Sequence, residues 1–236
     1  MRSKTKQIDA FVVLGGLRVF AVKKGVVLMN KQSQLLPVSV AVLMGGESKR
    51  FGSPKAFLPY NGTSLAAHVL GQAALYSQEV FAVSRNPEQV PPDARKAYPV
   101  VMDIWKDEGP LSGLHAALSH SSQGALYLSG VDMPFLKGQV LAGFWNWFKA
   151  EERPDVVVPR IGGRWEPLCA LWDRKVLSAL QPGRWDSFQR FLDNGGLNIH
   201  EVSEKELNEL DPSLDCLRNF NTLDEWKEGV PPQSTR

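Results

Sequence analysis

One stretch of this sequence combines several glycines with several cations: Leu43-Met44-Gly45-Gly46-Glu47-Ser48-Lys49-Arg50-Phe51-Gly52-Ser53-Pro54-Lys55. Glycines let a backbone turn its N–H groups toward an anion, and Arg50 and Lys55 could neutralise a triphosphate. The stretch follows Val38–Met44, an almost continuously apolar run that reads as a strand buried on both faces. Parallel α/β sheets place their ligand crevice at the carboxyl end of such a strand. The spacing excludes the commoner phosphate loops. A P-loop has four residues between its glycines and then Lys-Ser/Thr, whereas Gly46 and Gly52 enclose five and Ser53-Pro54 follows. G-x-G-x-x-G and G-x-S-x-G are absent as well. The alternative is an ordinary glycine-rich surface loop.

Three further sets of residues could complete a site. Asp132 follows the apolar run Ala125–Ser129 and precedes Pro134. A carboxylate at a strand's carboxyl edge faces the crevice, and magnesium takes one or two carboxylates plus phosphate oxygens. An Asx-type turn ahead of a helix would use the same aspartate. Asp103 ends another strand-like run six residues before Gly109, with Asp107 close enough to compete; either acid could be a plain loop carboxylate. Asn219 and Asn221 flank Phe220, and paired amides both donate and accept. Asn221 or Thr222 is equally a ready helix cap. Trp165, beside Gly162-Gly163, could stack on a flat ligand or simply pack in the core.

The glycine-rich stretch resembles the signature loop of nucleotidyltransferases with a three-layer αβα fold, most of all the molybdenum cofactor guanylyltransferases. Gly109-Pro110-Leu111-Ser112-Gly113-Leu114, Asp132-Met133-Pro134-Phe135-Leu136 and Asn219-Phe220-Asn221-Thr222 resemble further motifs of that family in the right order. Glu166-Pro167-Leu168-Cys169-Ala170-Leu171 resembles its Q-P-L-x-A-L. The similarity spans about residues 38–230. It implies a Mg²⁺-dependent transfer of GMP from GTP to Mo-molybdopterin with release of pyrophosphate. Leu43, Gly45, Gly46, Ser48, Lys55, Asp103, Gly109 and Asp132 would bind the nucleotide, with Asp103 reading guanine through its N1–H and N2–H₂ donors. Asp132 would hold Mg²⁺, and Lys55 and Arg50 would meet the phosphates. Asn219, Asn221 and Glu166 would bind the acceptor, and recipient molybdoenzymes or their chaperones would be partners. The chain departs from the family at Glu47, at Ser53-Pro54 before Lys55, at Glu166 in place of Gln and at Leu223 in place of Pro. Sister readings are a cytidylyltransferase, another nucleotidyltransferase of this fold, or a non-catalytic chaperone for the cofactor. Gly45-Gly46, where cytidylyl relatives tend to have Ala-Ala-Gly, argues against the first.

The elements needed to hold these residues are legible as a pattern. From residue 37, β-branched runs alternate with helical stretches, which implies a largely parallel sheet covered by helices. Joined with the family resemblance, which implies the three layers and the fold type, the expectation is a Rossmann-like αβα sandwich with a mixed sheet, similar to the nucleotide-diphospho-sugar transferases. Strands are expected at Val38–Met44, Glu79–Val83, Ala97–Met102, Ala125–Ser129 and Asn198–Val202. Helices are expected from Thr63 or Ser64 to about Ser77, from Pro110 to about His120, over Lys137–Glu151, near Lys175–Leu180, over Asp186–Asn194 and from about Thr222. Asp155–Pro159 and Arg164–Trp172 read as a hairpin turned by Gly162-Gly163.

The 236 residues suit one domain over residues 37–236 behind a basic extension over 1–36. Residues 1–36 hold seven Lys/Arg against Asp9, hence +6, whereas the remaining 20 bases and 24 acids give −4. The extension could form a hairpin of Phe11–Leu14 with Val26–Met29, or lie upstream of a true start at Met29. The body shows no basic patch interleaved with aromatics, so nucleic acid is not an expected partner. No apolar run approaches the length of a membrane span. Cys169 and Cys216, 47 residues apart, form no metal or disulfide pattern, and a reducing cytoplasm is the expected compartment. The four histidines show no metal-ligand spacing.

Overall fold

In this computed structural model the described residues are 8–14, 17–22, 25–27, 35–45, 54–103, 105, 109–150 and 152–220. The chain divides into two units, residues 1–34 and 35–236. The first unit is a three-stranded antiparallel sheet of β1 (Ile8–Leu14), β2 (Leu17–Val22) and β3 (Gly25–Val27), in that order. The expected hairpin of Phe11–Leu14 with Val26–Met29 is corrected here. β1 pairs with β2, Leu14 opposite Leu17, because only two residues separate them and a tight hairpin closes at the lowest loop cost.

The second unit is built on an eight-stranded sheet. Its strands are β4 (Leu36–Leu43), β7 (Ser77–Ser84), β8 (Val100–Met102), β9 (Ala125–Gly130), β10 (Val156–Ile161), β11 (Arg164–Trp165), β12 (Ala170–Asp173) and β13 (Ile199–Ser203). The short ladder of β5 (Pro59–Tyr60) and β6 (Thr63–Ser64) stands apart. The sheet order is β11-β10-β12-β9-β4-β7-β8, with β13 also paired to β10. β4 runs parallel to β7 and β9, and β7 parallel to β8. β12 is antiparallel to β9 and β10, so the sheet is mixed, as expected.

Alternation along β4 explains why its sequence is apolar throughout. Val38, Val40 and Val42 enter one core with α1 (Leu65–Ala73), α4 (Gly138–Phe148) and α6 (Glu204–Leu210). Ala41 and Leu43 enter the other with α3 (Gly109–His120) and α5 (Phe188–Asn194). Helices cover both faces, which is the three-layer αβα arrangement. Of the α4 aromatics, Phe144 and Phe148 are fully buried, each worth roughly 1.5–3 kcal/mol in burial, while Trp145 and Trp147 are partly buried.

Several elements differ from the pattern reading. The expected strand Ala97–Met102 begins only at Val100, because Pro91-Pro92 starts the short helix α2 (Pro92–Ala97). α1, capped by the Ser64 hydroxyl on the Ala67 amide, ends at Ala73, and Ser77 already belongs to β7. Leu36 belongs to β4 rather than to the extension. Arg164–Trp172 splits into β11 and β12 on opposite sides of β10; Pro167, without an N–H, lies in the break. Lys175–Leu180 is a 3₁₀ segment, Arg174–Ala179. α6 was not anticipated, although Ser203 and Glu206 form a capping box at its start. The helix expected from Thr222 lies outside the described residues.

The parallel strands β4, β7, β8 and β9 end along one edge: Leu43 lies opposite both Val83 and Gly130, and Ser84 opposite Met102. β12 runs the other way, so its first residue, Ala170, reaches the same edge opposite Leu128.

Candidate functional site

β9 delivers Asp132 to this edge. The Val131 amide donates to the Leu43 carbonyl at 3.0 Å, which ties the strand end to β4. A Cβ at Gly130 would stand 2.6 Å from Asp132 Oδ1, so the glycine makes room for the carboxylate to fold back over the strand end. Lys55 is placed by the turn that follows Pro54. Pro54, with φ −61°, leads into the 3₁₀ turn Lys55–Phe57, closed by the Leu58 amide on the Lys55 carbonyl at 3.0 Å. Lys55 Nζ then meets Asp132 Oδ2 at 2.8 Å, with the two side chains 17% and 25% exposed. An ion pair at the solvent boundary contributes little stability, of order 1 kcal/mol or less. It does hold a carboxylate and an ammonium together at the ends of β4 and β9.

Among the described residues no group of three or more His, Cys, Asp or Glu is gathered for a metal. Magnesium bound through one carboxylate with phosphate oxygens and water is compatible with Asp132, which stands at the solvent boundary.

Asp103 sits at the end of β8, its amide bonded to the Ser84 carbonyl at 2.9 Å. Its carboxylate is 8% exposed and engaged on three sides. The Ser112 hydroxyl lies 2.6 Å from Oδ2 and 2.7 Å from the Gly109 carbonyl, and donates to one at a time. The Trp105 amide donates to Oδ1 at 3.3 Å, and Arg85 Nε stands 3.7 Å from Oδ2. Each carboxylate oxygen has two lone pairs, so Asp103 keeps capacity for further donors. The Trp105 ring lies against His115, centroids 4.1 Å apart. Gly109, at φ +63°, takes a conformation that costs glycine nothing as it opens α3.

Leu43 lines the site with its backbone only. Its side chain is buried against α3, where a Cβ at Gly113 would come within 2.9 Å of it. Gly45 has open space around its Cβ position, so packing does not demand the glycine. Leu168, ahead of β12, packs 3.3 Å from the Cβ position of Gly130 and brings the Glu166-Pro167-Leu168 segment to the Asp132 side. Burial pushes the Glu166 carboxyl up, partly countered by the Arg164 charge. Trp165 is buried, its indole N–H donates to Asp193 at 2.7 Å, and the Arg160 guanidinium covers its ring. It packs in the core. Asn219 is exposed next to Phe220, whose amide bonds to the Asp132 carbonyl at 3.3 Å.

The structure thus gathers Leu43, Gly45, Lys55, Asp132, Asn219 and the Glu166 segment around the ends of β4 and β9, with Asp103 and Gly109 at β8 and α3. Gly46, Glu47, Ser48, Arg50, Asp107 and Asn221 lie outside the described residues. Sequence reasoning passed over Arg85, Ser112 and Gly130. Arg85 directly follows β7, and the strand-end rule that singled out Asp132 applies to it equally. Cys169 and Cys216 are free, buried members of one core cluster, where Tyr127 donates to Cys169 Sγ at 3.1 Å. Contact with Cys169 and burial push the Cys216 thiol far up, a proximity the sequence spacing hides.

Residues 40–194 match the family model of the MobA-like NTP transferase domain. A probable molybdenum cofactor guanylyltransferase from Clostridium perfringens (strain 13 / Type A) is 30% identical over 203 residues, 82% of this chain and 96% of that protein. A molybdenum cofactor guanylyltransferase from Desulfosudis oleivorans is also 30% identical, over 81% of this chain and 93% of that one. Among solved structures, molybdopterin-guanine dinucleotide biosynthesis protein A from Archaeoglobus fulgidus matches with a TM-score of 0.66 and 28% identity. That match covers 80% of this chain and 95% of the other. With this edge geometry and these relatives, the chain belongs to the MobA-like NTP transferase family and is a nucleotidyltransferase.

Proposed function

We propose that the chain transfers GMP from GTP to the terminal phosphate of Mo-molybdopterin. The observation that carries this reading is the Lys55–Asp132 pair at the ends of β4 and β9. The relatives named as guanylyltransferases supply the substrate class. An oxygen of the acceptor phosphate attacks the α-phosphorus of GTP, the bond to the bridging oxygen of the β-phosphate breaks, and pyrophosphate leaves. No protein nucleophile is required. The work is positioning and charge neutralisation.

Lys55 turns from Asp132 to the phosphates, joined by Arg50, while Gly45, Gly46 and Ser48 offer backbone donors. Asp132, released from Lys55, is the residue that would hold Mg²⁺. When bound there, magnesium would neutralise charge on the phosphate oxygens. Asp103, steadied by Ser112 and Arg85, accepts the N1–H and N2–H₂ donors of guanine, an edge that cytosine lacks. Asn219, Asn221 and Glu166 border the acceptor. We assign the activity to residues 37–236 and the cytoplasm as its compartment, where two free thiols stay reduced. Recipient molybdoenzymes or their chaperones would take up the product.

Thermal shift with GTP, CTP, UTP and ATP, each with Mg²⁺, tests the nucleotide. GTP at 100 times its dissociation constant should add about 2.7 kcal/mol of stability. A shift with CTP alone would overturn the guanylyl reading and leave the fold unaffected.

A further inference from the structure

The 3₁₀ turn Asp215–Leu217 leads into Arg218, Asn219 and Phe220, a segment fastened to the site by the Phe220–Asp132 backbone bond. Phe220 is buried, and its ring meets Phe135 edge-on with centroids 6.0 Å apart. Phe135 itself belongs to the turn that begins at Asp132. The Arg218 guanidinium lies near both rings, its Cζ 5.6 Å from the Phe135 centroid and 5.5 Å from that of Phe220. Its charge also reaches the Tyr60 hydroxyl, which burial pushes up and Arg218 pulls back. The Phe220–Asp132 backbone bond, two residues on, keeps Arg218 beside the segment that carries Asp132.

A guanidinium presents a planar fork of N–H donors that matches a phosphate two at a time. Arg218 is exposed and makes no ion pair among the described residues, unlike Lys55 with Asp132 and Arg85 with Asp103. The reaction needs such a group. Two anions, a triphosphate and a phosphate monoester, must approach each other at Asp132, and Lys55 serves the nucleotide. We propose that Arg218 binds the phosphate monoester of the acceptor and directs its oxygen toward the α-phosphorus. This rests on the guanylyltransferase reading above, because it takes the acceptor's phosphate from that reaction.

The probe is the fluorescent pterin phosphate obtained by air oxidation of molybdopterin, with its phosphatase-treated form as control. The parent chain should hold the phosphorylated form about tenfold tighter or more, the usual scale for a charge-assisted bond. Arg218→Gln should lose that preference, and Arg218→Lys should keep only part of it. Both should bind Mg-GTP and melt as the parent does. With intact acceptor, Arg218→Gln should raise KM for the acceptor and leave KM for GTP in place. Retention of the phosphate preference by Arg218→Gln, or an equal loss of GTP binding, overturns the assignment. A parent that binds the pterin phosphate with the Arg218-dependent preference but releases no pyrophosphate from GTP would instead overturn the guanylyltransferase reading. Arg218 would then stand as an acceptor-phosphate ligand.

Discussion

The two ends of the central strands carry the same kinds of polar group and use them in opposite ways. Toward the amino end, Ser39 on β4 bonds to Glu79 on β7 and lies 2.6 Å from the Ser121 hydroxyl. The Ser122 amide donates to the same carboxylate at 3.0 Å, and the Ser121 hydroxyl donates either to Ser39 Oγ or to the Gln123 carbonyl, 3.1 Å away. Ser39 and Ser121 are buried, and each polar group there is answered by another from the protein. At the carboxyl end, Lys55 and Asp132 answer each other at the solvent boundary, in the pair we propose a phosphate and a cation replace. A closed polar network stabilises a fold; an open one is available for chemistry.

Breaking one end should therefore show in activity and breaking the other in stability. Lys55→Ala removes the cation we propose for the phosphates and should lower turnover on the order of 10²-fold while weakening GTP binding. Its melting should stay close to the parent's, since an ion pair at the solvent boundary contributes little. Pyrophosphate release and GTP titration measure both quantities, and an unaltered KM for GTP would place Lys55 outside the phosphate site.

Ser39→Ala should do the reverse. Leaving Glu79 and Ser121 without that hydroxyl should cost about 1–3 kcal/mol in urea unfolding, with GTP affinity retained. Burial pushes the Glu79 carboxyl up, but Ser39 and Ser122 outweigh it and leave it below its ordinary range. A depressed folded value gives stability that is present above the unfolded pKa and lost as pH falls. The deficit of Ser39→Ala should accordingly be full at neutral pH and shrink below about pH 4. A deficit independent of pH would show that Ser39 matters only as packing.

Glu166→Gln should have the smallest effect, a few tenths of a kcal/mol at pH 7. Burial raises the Glu166 carboxyl, so the folded state favours its protonated form. The associated stability is full below the unfolded pKa and lost as pH rises through the folded one. The amide, which the family's motif carries here, should stabilise the chain at neutral pH and give no gain near pH 4. Chemical unfolding at the two pH values measures this, and a loss at neutral pH would contradict the burial argument.

Much of this division was legible in the sequence, because it follows from patterns that local physics enforces. The buried run before Gly45, the Pro110 helix start and Asp132 after an apolar run each report a strand end or helix start directly. Contacts made across long separations were not legible. The room Gly130 leaves for Asp132, the engagement of Asp103 by Ser112 and Arg85, and the proximity of Cys169 to Cys216 all depend on register. Trp165 was open between stacking on a flat ligand and packing, and only its contacts with Arg160 and with Asp193, distant in sequence, fix it in the core. Pro92 was the most avoidable miss, since a proline at a first helical turn is a local signal that competes with the β-branched run after it.

The most direct test of the central claim is pyrophosphate release by the parent and by Asp132→Asn, titrated with Mg²⁺ and supplied with GTP and molybdopterin. Asn keeps the size and hydrogen bonding of the side chain but not the charge a metal needs. The parent should release pyrophosphate in a Mg²⁺-dependent way, and Asp132→Asn should fall by about 10²-fold or more at ordinary Mg²⁺ with its melting little altered. Near-parental release by Asp132→Asn would reduce Asp132 to a turn-former with the metal held elsewhere, and a parent that binds GTP yet releases no pyrophosphate would contradict the proposed transfer.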